Sequence, residues 1–360
     1  MKIRIYSDTK IYIACPANIA TGGPELLHQL ANHFVKDLNV KTFMYYYGFN
    51  NKKFKSAVHP EYTIYNLPYV LEIPEKDDID KNIFIVPEIQ KSLSLLTNYK
   101  KIRKSVWLLS VDNYYLSKLK KTDFFFKRAV NKISKMIAQK TVLDFDINSQ
   151  KVLDKLILKY NYKNDPLLKQ AEFYMTNSYR GLKWFSDLQP LYYLSEYVNE
   201  SFFETKTDLS KKENIVVYNP NKGFVFTRKI ISTAKDVKFV ALVNMSRKEV
   251  IQTLQKAKVY IDFGNHPGKD RIPREAAILG CCVITGKRGS AAFFEDVPIP
   301  DEYKFDDKEE NIPKIIDRIK DCFDNFDERY KDFEYYREFI KKEPSKFIDD
   351  LRKIFIKVEK

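Results

Sequence analysis

Short, almost wholly apolar runs set the first constraint on this chain. Asn214–Tyr218, Val237–Val243, Val259–Phe263 and Cys281–Thr285 show little of the polar alternation of a half-exposed strand. Such runs are buried on both faces, as in a parallel sheet covered by helices. Helical signals fill the gaps between them. Phe224–Ala234 and Pro273–Leu279 have helical length, and Gly280 can close the second. Ser246-Arg-Lys-Glu249 is a capping box, in which the Ser and Glu side chains satisfy each other's backbone N–H groups. Strict alternation of β and α predicts a doubly wound α/β unit.

The first half carries the same rhythm less clearly. Ile11–Cys15, Val40–Tyr47, Asn82–Val86, Ser105–Ser110 and Glu172–Thr176 are strand candidates. An amphipathic helix from about Pro24 to Lys36 follows a turn over Pro16–Gly23. With 360 residues, two domains are expected. The polar stretch Asn199–Glu213 is the best boundary, dividing 1–205 from 206–335. Residues 336–360 read as a C-terminal helix packing back on the first domain.

The formal charge of +14 favours an anionic partner or reflects a Lys-rich composition alone. No helix-turn-helix, zinc or RNA-recognition pattern accompanies it, so nucleic acid is not the expected partner. Four Cys without zinc or disulfide spacing suit a reducing cytoplasm. The start lacks a signal-peptide core, and no run approaches the roughly 20 apolar residues that span a bilayer. Tyr99–Lys104 and Lys118–Lys140 interleave basic and aromatic residues. They fit either peripheral docking on an anionic inner membrane face or a solvated helical surface.

Chemistry concentrates in His266–Ser290. After the strand ending at Phe263 comes a loop with two Gly, His266, Lys269 and Arg271, then a helix opening with Pro273, Arg274 and Glu275. Ligands of open parallel sheets bind where strands end and helices begin. Helix N-termini offer N–H groups to phosphate, and Lys269, Arg271 and Arg274 would add positive charge. Glu275, placed in the first helical turn, can accept hydrogen bonds from two ribose hydroxyls. The plainer alternative is a solvated loop.

Glu275-Ala-Ala-Ile-Leu-Gly-Cys-Cys-Val-Ile284 and Gly286-Lys-Arg-Gly-Ser290 resemble the nucleotide-sugar site of GT-B glycosyltransferases, more narrowly those of bacterial capsule and surface-polysaccharide synthesis. The resemblance implies two Rossmann-like domains facing across a cleft. It places Glu275 on the donor ribose, Lys222 of Tyr218-Asn-Pro-Asn-Lys-Gly223 on the diphosphate, and Gly289 and Ser290 near the diphosphate and sugar. Gly22 and Gly23 of Ala20-Thr-Gly-Gly-Pro-Glu25 match the glycine-rich loop beside the transferred sugar. A nucleotide-sugar donor, a glycan or lipid-linked acceptor and no cofactor follow from it. Many retaining members carry a second Glu eight positions earlier; Pro267 stands there, leaving His266, Lys269 or Asp270 in that space.

An inverting reaction needs a general base. Asp112, at the end of Trp107-Leu-Leu-Ser-Val-Asp112, is the first candidate, with an Asx turn or helix cap as the alternative. Glu88 in Val86-Pro-Glu88 is the second. Asp144-Phe-Asp146 mimics a metal-binding Asp-x-Asp without the strand context for it, so metal independence is expected. A catalytically inactive scaffold and a basic nucleic-acid-binding protein are the competing readings.

Overall fold

A computed structural model describes residues 2–119 and 145–358, without the side chains of 145–149. Most of Lys118–Lys140, and the Asp144-Phe-Asp146 motif, lie outside the described residues and side chains. The chain divides into two compact units. The first holds 2–118, Leu156–Glu196 and the segment from Pro344; the second holds 145–155 and Tyr197–Glu343. The division after Glu196 precedes the polar stretch read as a boundary. Val198 and Phe202, just beyond it, are buried in the second unit's core with Ile215 and Val216.

In the first unit, β1 (Ile3–Ile5) precedes β2 (Lys10–Pro16), β3 (Lys41–Tyr47), β4 (Tyr69–Val70), β5 (Ile83–Pro87), β6 (Arg103–Leu108), β7 (Phe173–Thr176) and β8 (Leu191–Tyr193). Strands β2 to β8 form one parallel sheet in the order β4-β3-β2-β5-β6-β7-β8. Ile11, Ile13, Ile83, Ile85 and Val106 are fully buried, as two-sided burial requires. The helix Gly22–Lys36 packs on β2 and β3 through Leu26, Leu27, Leu30 and Phe34.

In the second unit, β9 (Glu213–Tyr218), β10 (Lys238–Ala241), β11 (Ala257–Asp262), β12 (Cys282–Gly286) and β13 (Lys304–Phe305) form a parallel sheet ordered β10-β9-β11-β12-β13. The helices Phe224–Thr233 and Ile312–Asp324 cover it with Phe226, Ile230, Ile315 and Ile319. The capping box at Ser246 and Glu249 is formed. Lys212 is buried, and its Nζ donates to the carbonyls of Leu254, Ala257 and Leu279 at 3.0, 2.8 and 2.8 Å. One cation thus satisfies carbonyls at two helix C-termini, where positive charge is favoured.

The last strand, β14 (Phe355–Lys357), returns to pair in parallel with β1, Ile3 opposite Phe355. Phe355 meets Phe34 at a ring distance of 4.9 Å. These short edge strands escape a sequence reading because the returning one sits at the end of a charged helix. The helix Glu334–Ile354 contains Pro344, and the division between units falls immediately before that residue.

Candidate functional site

Parallel strands bring all their carboxyl ends to one edge of the sheet, where the turns are free to carry ligands. In the second unit this edge gathers the turns after β9, β11 and β12. Gly223, at φ +58°, caps the helix Phe224–Thr233. A Cβ there would lie 2.4 Å from the Phe263 carbonyl. Gly289, at φ +62°, would put a Cβ 2.1 Å from the His266 carbonyl oxygen. That same oxygen accepts the Ser290 N–H at 2.9 Å. Glycine is therefore required at both positions, and the three turns touch through their backbones.

Charge is concentrated on the same turns. Lys222 Nζ donates to Asp270 Oδ2 at 2.6 Å while keeping about a third of its side chain exposed (32%). His266 is fully buried between two carboxylates: Nδ1 lies 3.2 Å from Asp270 Oδ2 and Nε2 3.6 Å from Asp262 Oδ1. Asp262 also accepts the Gly264 N–H and the Tyr260 hydroxyl, each at 3.0 Å. Among the described residues, Asp262, His266 and Asp270 place ligand atoms within 4.8 Å of one another, close enough to hold a cation. The Lys222 ammonium already supplies one to Asp270.

The structure separates the predicted donor residues into two groups. Lys222, Gly289 and Ser290 lie together on these turns, with His266, a catalytic rather than a donor candidate, beside them. Ser290 is fully buried, and its Oγ has no hydrogen-bond partner among the described residues. Lys269 and Arg274 do not present their charges outward. Their side chains are 1% and 0% exposed, and both reach Glu343, at 2.6 and 2.9 Å. Their role is internal, and Glu343 is a partner that sequence reasoning missed. The helix also starts at Arg271, two residues before the expected Pro273. Glu275 accordingly sits in the second turn, 9% exposed, and Arg271 opens the helix. Asp270 is the N-cap but makes no side-chain cap bond, its carboxylate being held by Lys222 and His266.

The first unit's carboxyl edge has a different character. Gly22 and Gly23 begin the helix Gly22–Lys36 rather than lying in a loop before it, with Thr21 as N-cap. Glu88, directly after β5, is 2% exposed and accepts the Leu109 N–H at 3.0 Å. Burial pushes its carboxyl up to about 7. Asp112 is also buried, but it accepts from Arg180 at 2.6 Å. It is not a cap, since Ser110 caps that helix by accepting the Asn113 N–H. Asn177, directly after β7, donates to Glu196, which follows β8; both are buried, and no motif marked them. His28 bonds to the Pro24 carbonyl and the Tyr46 hydroxyl, each at 2.6 Å, and stacks on Tyr62. Burial holds it down at about 4, as expected for a structural rather than a basic histidine.

No family model and no curated protein matches the sequence. Solved structures match it over nearly its whole length. A glycosyltransferase from Rickettsia africae has a TM-score of 0.61 at 13% identity, covering 96% of this chain and 97% of that one. Anabaena HepE in complex with UDP-glucose gives 0.60 at 11% identity, covering 96% and 98%. Sucrose-phosphate synthase from Thermosynechococcus elongatus gives 0.61 at 10% identity, covering 95% and 97%. Likeness at such low identity establishes architecture: this chain has the GT-B fold, two α/β units each built on a parallel sheet.

Proposed function

We propose that this protein is a nucleotide-sugar-dependent glycosyltransferase whose donor site is the carboxyl edge of the second unit's sheet. One observation carries the reading. Lys222, the backbone at Gly223 and Gly264, and the Gly289–Ser290 turn are packed into one cradle by glycines that admit no side chain. The N–H groups at the start of the helix Phe224–Thr233 and a part-exposed ammonium suit a diphosphate. That a neighbour of the same fold is described in complex with UDP-glucose favours this ligand class.

In this reading Lys222 and Arg271, with the N–H groups of the helices at Phe224 and Arg271, stabilise the leaving diphosphate. That cationic set makes the reaction metal-independent. Glu275 holds the ribose, and Ser290, whose Oγ has no partner among the described residues, lies in the turn next to it. Glu88, a carboxyl poised near neutrality, is the preferred general base over Asp112, whose charge Arg180 already neutralises. The acceptor is a glycan or lipid-linked glycan of a surface polysaccharide. Among the described residues no helix is long and apolar enough to cross a membrane.

Thermal shift against UDP, GDP, CDP and dTDP sugars tests the donor assignment. One nucleotide should raise the melting temperature, and at the same nucleotide concentration the rise should be clearly smaller in Lys222→Ala. No rise with any of them refutes the site. A rise without sugar transfer or donor hydrolysis favours the inactive scaffold, which Pro267 in place of a Glu already suggests.

A further inference from the structure

Glu343 stands outside every motif of the sequence, yet its carboxylate is the meeting point of two buried cations. It is 1% exposed. Oε1 lies 2.6 Å from Lys269 Nζ, and Oε2 accepts from Arg274 at 2.9 Å. Arg274 spends its other donors on the backbone of the site loop. Its Nε–H goes to the Asp270 carbonyl and its Nη2–H to the Lys269 carbonyl, each at 3.1 Å. The Asp270 side chain, on that same backbone, grips Lys222 and faces His266. A continuous chain of bonds runs from the C-terminal helix to the cation of the cradle.

Buried ion pairs seldom stabilise more than apolar side chains of the same volume would. What such a cluster does supply is geometry, because each charge demands its partner at hydrogen-bond distance. Here the geometry supplied is that of residues 269–270. We propose that Glu343 is a positioning residue of the donor site, acting through Arg274 to hold Asp270 and, through it, the Lys222 ammonium. The proposal rests on the donor reading above and adds to it a control point on the helix Glu334–Ile354, one residue before its internal proline.

Glu343→Gln keeps the volume and removes the charge. Arg274→Lys keeps the charge and the Glu343 pair but loses the fork that holds the two carbonyls. Both are compared with wild type, with Glu343→Asp and with the surface control Glu338→Gln, by titrating the nucleotide sugar that stabilises wild type and by steady-state kinetics of its turnover. Glu343→Gln and Arg274→Lys should weaken donor binding at least tenfold, raising KM more than they lower kcat. Glu343→Asp should restore most of the loss, and Glu338→Gln should match wild type. If Glu343→Gln fails to fold, Arg274→Lys decides. Wild-type donor affinity in a folded Arg274→Lys or Glu343→Gln protein overturns the proposal and leaves the donor reading standing. Absence of binding by wild type itself overturns the donor reading, and the proposal with it.

Discussion

The two sheets end in different chemistry. At the carboxyl edge of the second unit, glycines bring backbone against backbone, and a part-exposed lysine remains at the rim. At the corresponding edge of the first unit, the same strand-to-helix junctions bury acids: Glu88, Asp112 and Glu196 are each 3% exposed or less. A parallel sheet delivers both edges by the same rule. The residues that follow the strands decide what each can bind. A helix N-terminus and a cation suit an anion, and a buried carboxyl with its proton poised near neutrality suits proton transfer.

Several substitutions can break or sharpen this contrast. The largest effect is expected at Gly289. A valine there meets the His266 carbonyl in a backbone conformation that branched residues avoid, so Gly289→Val should cost about 4 kcal/mol or more, read as a fall in the melting temperature. A stable, nucleotide-binding Gly289→Val protein would show that the cradle is looser than its contacts indicate.

Next comes Glu88→Gln, which should lower turnover about a hundredfold or more while leaving donor affinity unchanged. Wild-type turnover should rise with pH and level off above about 7, as Glu88 loses its proton. Stability should move the other way. The folded carboxyl titrates at about 7 against an ordinary 4.5, so the unfolded state releases its proton first and wild type loses stability as pH rises through that window. Glu88→Gln removes this penalty. From pH 5 to pH 8 it should gain up to about 3 kcal/mol relative to wild type, measured by denaturant unfolding at both ends. A flat difference across that range would place Glu88 in a wetter setting than its burial indicates.

Asp112→Asn should give the smallest change. It weakens the hydrogen bond to Arg180 and costs about 1–2 kcal/mol of stability, with turnover falling far less than for Glu88→Gln. A larger rate loss for Asp112→Asn would reverse the assignment of the base.

Most of the strands were legible because two-sided burial leaves unbroken apolar runs, and the capping box because its two partners are local. What escaped was non-local. Lys212, in a charged stretch that reads as a linker, is buried against three carbonyls from distant segments. Glu343 sits in a helix dense with charge, where nothing in the spacing separates it from Glu338, which is exposed and bonded to Lys341. Lys269 and Arg274 were recognisable as cations of the site loop. Their direction was not, since it depends on an acid more than sixty residues away. The helix start at Arg271 was not marked either, since its N-cap residue Asp270 turns its carboxylate to Lys222 instead of capping.

The central claim is that the second unit's edge binds a nucleoside diphosphate through Lys222. Titration calorimetry of UDP, GDP, CDP and dTDP against wild type and Lys222→Ala, at matched ionic strength, addresses it most directly. One nucleotide should bind wild type at a single site, with affinity falling roughly 10- to 100-fold on loss of the ammonium, as for a charge-assisted contact. Equal affinity in Lys222→Ala, or no binding to wild type by any of the four, would contradict it.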